Sequence, residues 1–222
     1  MPIICFEGAS AVGKTTTAKS FNEYYSAYVV PEVNELFTRP ENESADWYFE
    51  RQVERWTIAR EQSKFYQLVI LDGDPFQPLW YNWAYDFAGW QDLDFMERFY
   101  QPRIRDKTIC FPDLYFIFSA DEPELRRRKT GDSSRQRSGF EKHLKMIEPQ
   151  RRYFQAICDL STNQVCFLET QTIASNIEFV RERVFNSSIE NKKSGSEILF
   201  AEIIQWLREN PAQYDKTSDQ KH

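Results

Sequence analysis

The sequence predicts an α/β fold, with three layers (α/β/α) built around a mostly parallel five-stranded sheet. Three observations lead there. Five short apolar runs, each long enough for a buried strand, cover Ile3 to Phe6, Ala27 to Val30, Leu68 to Leu71, Leu114 to Phe118 and Val165 to Leu168. The segments between them have helical composition, so strands and helices alternate along the chain. The runs are continuously apolar, as strands covered by helices on both faces must be, and no internal repeat or low-complexity segment interrupts them.

The elements follow in order. Ile3 to Phe6 leads into Gly8-Ala-Ser-Ala-Val-Gly13-Lys14-Thr15, and residues 14 to 26 continue without Pro or Gly as a helix. Strand, Gly-rich turn and helix in that order are the setting of a phosphate-binding loop. Ala27 to Val30 is a second strand, which Pro31 and Glu32 end. Residues 34 to 43 read as loop. Residues 44 to 66 read as a long amphipathic helix carrying Trp47, Tyr48, Val53, Trp56, Ile58, Ala59 and Phe65, with Ser44 as its N-cap. The third strand runs into Asp72-Gly73-Asp74-Pro75. Residues 79 to 107 form one or two helices broken near Gly89. The fourth strand is followed by a short helix over 121 to 129 and a polar Gly/Ser stretch. Residues 140 to 160 read as helix despite Pro149, and 173 to 184 as another after the fifth strand. A polar break at 187 to 197 precedes an amphipathic helix at 197 to 209 and a frayed polar end. The expected division is a core over 1–186, with a lid at 126–139, then 187–222 as linker, helix and tail.

Ligands in such folds bind beyond the carboxyl ends of the strands. Three chemically loaded segments fall there. Gly8 and Gly13 permit backbone angles that turn successive N–H groups inward onto a phosphate. The phosphate site is therefore predicted over Gly8, Ala9, Ser10, Ala11, Val12, Gly13, Lys14, Thr15 and Thr16, with the positive end of the following helix behind it. Lys14 reaches the β- and γ-phosphates, and the Thr15 hydroxyl holds Mg²⁺. Asp72, ending an apolar strand, is the acidic partner for that Mg²⁺; the bland alternative is an Asp capping its own turn. Glu32 is placed to take a proton from an acceptor hydroxyl or to orient it, and Asp74 is the competing candidate. Arg126, Arg127, Arg128, Lys129, Arg135 and Arg137 surround a Gly/Ser loop. Such a cluster suits a lid that closes over a transferring phosphoryl group, and Arg126, Arg135 and Arg137 are its chosen members. The ordinary reading of a charge run is a solvated helix face.

Aromatic residues crowd the stretch from Phe76 to Tyr100, and most should be core. Phe76 and Trp80, with Trp47, Tyr48, Phe49 and Gln52 on the preceding helix, are the candidate walls of an acceptor pocket, Gln52 offering an amide to a base edge. His143 is a lone histidine in a helix and reads as structural.

Composition sets the limits. The chain has 222 residues and a net charge of −6, so neither nucleic acid polymers nor anionic membranes are favoured partners. Cys5, Cys110, Cys158 and Cys166 lack metal-ligand spacing and read as buried free thiols, which suits the cytoplasm. There is no signal-like leader and no apolar run of membrane-spanning length.

Phe6-Glu-Gly8 leading into Gly13-Lys-Thr-Thr16 resembles the opening of thymidylate kinases, within the P-loop nucleoside and nucleotide kinases. Pro31-Glu32 is similar to the carboxylate-bearing segment of deoxynucleoside kinases. Leu71-Asp-Gly-Asp-Pro75 stands where those families carry Asp-Arg or Glu-Arg, and also resembles the Asp-Gly-x-Pro turn of adenylate kinases. Arg126 to Arg137, Phe140 and Arg151-Arg152-Tyr153 resemble their lid and the helix after it. The resemblance spans residues 1 to about 185, and Gly73 departs from it where those kinases have Arg. It implies a P-loop kinase fold and an ATP- and Mg²⁺-dependent transfer of the γ-phosphoryl group to a nucleoside or nucleoside monophosphate. The alternatives are a small-molecule kinase of the antibiotic type and a regulatory NTPase without an acceptor. The expected partners are ATP and a small acceptor, with a homodimer left open.

Overall fold

The computed structural model describes residues 1–87, 91–131, 139–185 and 195–212. Its centre is β1 (Ile3–Gly8), which pairs in parallel with β3 (Leu68–Asp72) on one side and β4 (Leu114–Ser119) on the other. β2 (Ala27–Val30) lies outside β3, and β5 (Val165–Glu169) outside β4, giving the order β2-β3-β1-β4-β5. Every pairing is parallel, so the sheet goes further than the mostly parallel arrangement expected. The register puts Phe6 beside Asp72 and Gly8 beside Phe118. The loaded ends of β1, β2 and β3 therefore open at one edge of the sheet.

Because side chains alternate along a strand, the sheet feeds two cores. Ile3, Cys5, Val69, Leu71, Tyr115 and Ile117 face one side. There α3 (Trp47–Gln62), α4 (Gln77–Ala84), α5 (Leu93–Arg105), α8 (Ile147–Leu160) and α10 (Ser196–Glu209) cover them. Ile4, Phe6, Ile70, Phe116 and Phe118 face the other side, under α1 (Lys14–Tyr24), α6 (Glu122–Gly131), α7 (Phe140–Lys145) and α9 (Ile173–Phe185). Phe6 packs between Phe116 and Phe118, with ring centroids at 5.8 and 4.9 Å. Burying each such ring contributes about 1.5–3 kcal/mol. The aromatic stretch is core as expected. Phe76 stacks on Phe111 at 4.3 Å, with Tyr100 at 5.1 Å. Helix α10 adds Leu199, Phe200, Ile203, Ile204 and Leu207 to this first core, and Trp83 Nε1 donates to Asn210 O at 2.7 Å.

Four local expectations change. Val33–Leu36 forms a short helix, α2, inside the segment read as loop. α3 starts at Trp47 with Asp46 in the cap position, and Ser44 instead donates to the Asp46 carboxylate at 2.6 Å. The helix over 140 to 160 is two, parted at Met146. Pro149 explains this: it has no N–H for Lys145 O, and its ring would strike that carbonyl, so it sits in the first turn of α8. Of the four thiols, which are all free, only Cys5 is fully buried and the others are half-buried. Gly89, Trp90 and the polar stretches 132–138, 186–194 and 213–222 lie outside the described residues. Among those described, no helix is long and apolar enough to cross a membrane.

Gly8 is required twice over. Its φ is +141°, and a Cβ there would lie 2.3 Å from Phe118 O, the backbone of the neighbouring strand. Gly8→Ala should lower unfolding stability by about 2–5 kcal/mol, the combined scale of overpacking and backbone strain. Urea unfolding checks this, and a loss below about 1 kcal/mol would contradict the close approach.

Candidate active site

The loop from Gly8 to Lys14 is shaped by three residues of positive φ: Gly8 at +141°, Ala11 at +68° and Gly13 at +104°. Gly13 is the N-cap of α1 and supplies no side-chain cap, so the first-turn N–H groups face the loop's hollow without a side-chain acceptor. Lys14 Nζ donates to Gly8 O at 2.7 Å and Ala9 O at 3.4 Å, which holds the ammonium inside the curve. All nine residues predicted for the phosphate site line one cavity of about 690 Å³.

Asp72 ends β3 next to α1, and Thr15 Oγ1 donates to its Oδ2 at 2.7 Å. Its Oδ1 is buried without a hydrogen-bond partner. Burial raises the Asp72 pKa, and Lys14 pulls it back. A hydroxyl bonded to a carboxylate that has one oxygen to spare is a donor set suited to a magnesium ion that also takes phosphate oxygens and water. No cluster of three or more His, Cys, Asp or Glu forms a metal cage among the described residues, and magnesium in phosphate sites requires none.

Asp74 does not face either cavity. It is fully buried, where Oδ1 accepts from Phe76 N at 3.0 Å and from Tyr115 OH at 2.9 Å. Burial pushes its pKa up to about 7. This position supports a structural role rather than the acceptor role weighed for it. Glu32, by contrast, lines the phosphate cavity and also a second cavity of about 430 Å³. Gln77, Tyr81 and His143 line both as well, so the two cavities adjoin along these four described residues.

The remaining predicted residues scatter. Trp80 lines the phosphate cavity rather than the second one. Phe76 is core. Gln52 is buried and accepts from Arg55 Nη1 at 2.6 Å, outside both linings. Trp47 is half-buried under the Arg51 guanidinium, also outside them. Arg126 is exposed, donates to Glu122 and binds Glu141 in bidentate fashion at 2.7 and 2.8 Å. Arg135 and Arg137 lie outside the described residues.

Sequence reasoning passed over several residues that the fold brings in. Arg128 is the lid-helix arginine that reaches the loop, donating to Val12 O at 2.9 Å and Thr170 Oγ1 at 3.0 Å. Its signal was buried Leu125, one turn earlier on the same face. Glu7 is buried in β1, accepting from Gly8 N at 2.8 Å, Asp74 N at 2.9 Å and Gln150 Nε2 at 3.2 Å. A carboxylate in strand register with Ile3 and Cys5 was the signal for it. Tyr48 and Phe49, named with Trp47 and Gln52 as pocket candidates, do line the second cavity, whereas Asn82 and Gln91 there left no local signature.

The chain has the fold of the P-loop nucleoside and nucleotide kinases. A thymidylate kinase from Candida albicans is similar over 86% of this chain and 92% of its own length, with a TM-score of 0.54 and 14% identity. A deoxyadenosine kinase from M. mycoides with bound dATP is similar over 84% of this chain and 100% of its own, with a TM-score of 0.55 and 16% identity. The same kinase with bound dCTP gives 0.53 at 16% identity, over 83% of this chain and 100% of its own. No protein-family model and no curated protein matches the sequence. At such identities the likeness is one of fold.

Asp74 has a consequence in solution. The folded chain keeps a proton on this carboxyl that the unfolded chain releases near pH 4. Its contribution to stability is therefore present below about pH 4 and is lost as pH rises toward about 7. Asp74→Asn removes the titration, so the variant's Tm relative to the parent should climb by several degrees between pH 4.5 and pH 7.5. A flat difference curve from thermal unfolding across that range would contradict it.

Proposed function

We propose that this protein is an ATP- and Mg²⁺-dependent phosphotransferase that moves the γ-phosphoryl group to a nucleoside, a nucleoside monophosphate or another small hydroxyl compound. The observation that carries the reading is that the phosphate-loop cavity and the second cavity adjoin along Glu32, Gln77, Tyr81 and His143. A donor and an acceptor held in these two spaces meet beside Glu32, the one carboxylate among the described residues that lines both. An NTPase without an acceptor has no use for the second cavity.

In this reading the loop amides and Lys14 bind the phosphates and stabilise the charge that spreads over the transferring group. Thr15 and Asp72 would hold Mg²⁺, which would supply positive charge against the phosphates. Glu32 orients the acceptor hydroxyl and takes its proton. The hydroxyl oxygen bonds to the γ-phosphorus, the bond to the β–γ bridging oxygen breaks, and ADP leaves with that electron pair. Arg128 keeps the loop in shape through Val12 O. Arg126, Arg135 and Arg137 remain the proposed lid arginines. Free cysteines are consistent with a reducing, cytoplasmic setting.

A small-molecule acceptor of the antibiotic type gains support from one observation. Gln52, the side chain expected to read a base, is turned away from the cavity and held by Arg55.

Lys14→Ala should reduce ATP-dependent phosphoryl transfer by about 10²-fold or more, with a Tm within a few degrees of the parent. Full activity would remove the phosphate site. Glu32→Gln should lower kcat by about 10²–10⁴-fold with little change in KM for ATP. A change confined to KM for ATP would take Glu32 out of the transfer step.

A further inference from the structure

The cations around the second cavity are already engaged by the protein. Arg55 reaches it from α3, and its guanidinium is spent on four acceptors. Nε donates to Pro31 O at 2.8 Å, Nη1 to Gln52 at 2.6 Å, and Nη2 to Asp72 O at 2.7 Å and Gly73 O at 3.1 Å. Arg39, at the mouth, is clamped by Glu43 through two bonds of 2.7 and 2.6 Å. That pair cancels its own charge. Asp72 is offset by Lys14 and by the Mg²⁺ proposed for its spare oxygen. Glu32 is not offset in this way. The Glu32 side chain makes no hydrogen bond or ion pair among the described residues, and its stem packs 3.7 Å from where a Cβ on Gly73 would be. Apart from His143, the rest of the lining is neutral and includes Tyr48, Phe49, Tyr81, Asn82, Gln77 and Gln91.

From this balance we infer that the acceptor is an uncharged or cationic hydroxyl compound and not a phosphomonoester. A phosphomonoester carries close to two negative charges at neutral pH. Seating it beside Glu32 would place like charges together in a half-enclosed space, where Arg55 and Arg39 are bonded within the protein and Lys14 and Mg²⁺ are assigned to the ATP phosphates. A hydroxyl has the opposite fit. It donates to the Glu32 carboxylate, bonds to the γ-phosphorus as ADP departs with the bridging electron pair, and leaves its proton on Glu32. The product is then a phosphomonoester, whose charge the same cavity disfavours, and this hastens its release. The amides and rings of the lining suit a flat polar ring or a sugar on the hydroxyl's carrier.

The inference rests on the kinase reading, and the test separates the two. ADP release is followed with Mg²⁺-ATP and matched pairs: each nucleoside or hydroxylated antibiotic, and the phosphomonoester of the same compound. Turnover with one or more hydroxyl compounds at a kcat/KM at least about tenfold above the matching phosphomonoester is the expected result. Turnover with a phosphomonoester at the higher kcat/KM overturns the inference and leaves the kinase reading standing. Acceptor-independent ATP hydrolysis, with no stimulation by any compound, overturns both. Glu32→Gln supplies a second measurement by calorimetry in the presence of a non-hydrolysable ATP analogue. Loss of the repulsive carboxylate should tighten phosphomonoester binding several-fold, and an unchanged or weaker Kd counts against the charge argument.

Discussion

The structure depends on one buried carboxylate. Glu7 stands at the end of the central strand, where it accepts from its own neighbour Gly8, from Asp74 beyond β3 and from Gln150 of α8. Three pieces of backbone that must meet for the phosphate loop to exist are thereby tied to one group. Burial raises the Glu7 pKa, with Lys14 the main counterweight. A charge in this position is costly unless every lone pair is used, and here the donors come from the loop it supports. Breaking the arrangement leaves unpaired polar groups on several elements at once, which is how one side chain comes to control a wide region.

The same logic extends outward. Arg55, 1% exposed, meets the free carbonyls at the ends of β2 and β3 and is satisfied entirely by backbone and Gln52. Arg128 does the corresponding work on the far side, joining α6 to the loop and to Thr170 after β5. Arg55 thus ties the ends of β2 and β3 together, and Arg128 ties α6 to the loop. Cys5 lies among these acids, and burial together with Asp74 and Glu7 keeps its thiol protonated. It is a packing residue, not a nucleophile.

The fold was readable in the sequence because its signals are local. Five apolar runs fixed the strands, and the Gly8-to-Thr15 spacing fixed what stood at the end of the first. Thr15, Asp72 and Glu32 could be placed because each follows a strand end, where topology alone settles the neighbourhood. Asp74 was ambiguous for the opposite reason. Two residues beyond β3, its direction is set by Tyr115 and the Phe76 amide, which no local pattern announces. Gln52 misled because an amide on an amphipathic helix looks available until the arginine three residues later claims it. Tyr48, Gln77, Tyr81 and His143 come from three helices, and only their docking makes them neighbours.

The two cavities differ in what builds them. The first cavity is lined by the loop from Gly8 to Lys14 and the start of α1, while the second is lined largely by residues of α2, α3 and α4 and the segments around them. Substitutions on those helices can reshape what is accepted without disturbing a hydrogen bond of the loop. Glu32, Gln77, Tyr81 and His143 are the exception, since they line both cavities. Such a layout lets the loop be inherited intact while the neighbouring cavity changes, with these four residues as the part that any change must keep compatible with both.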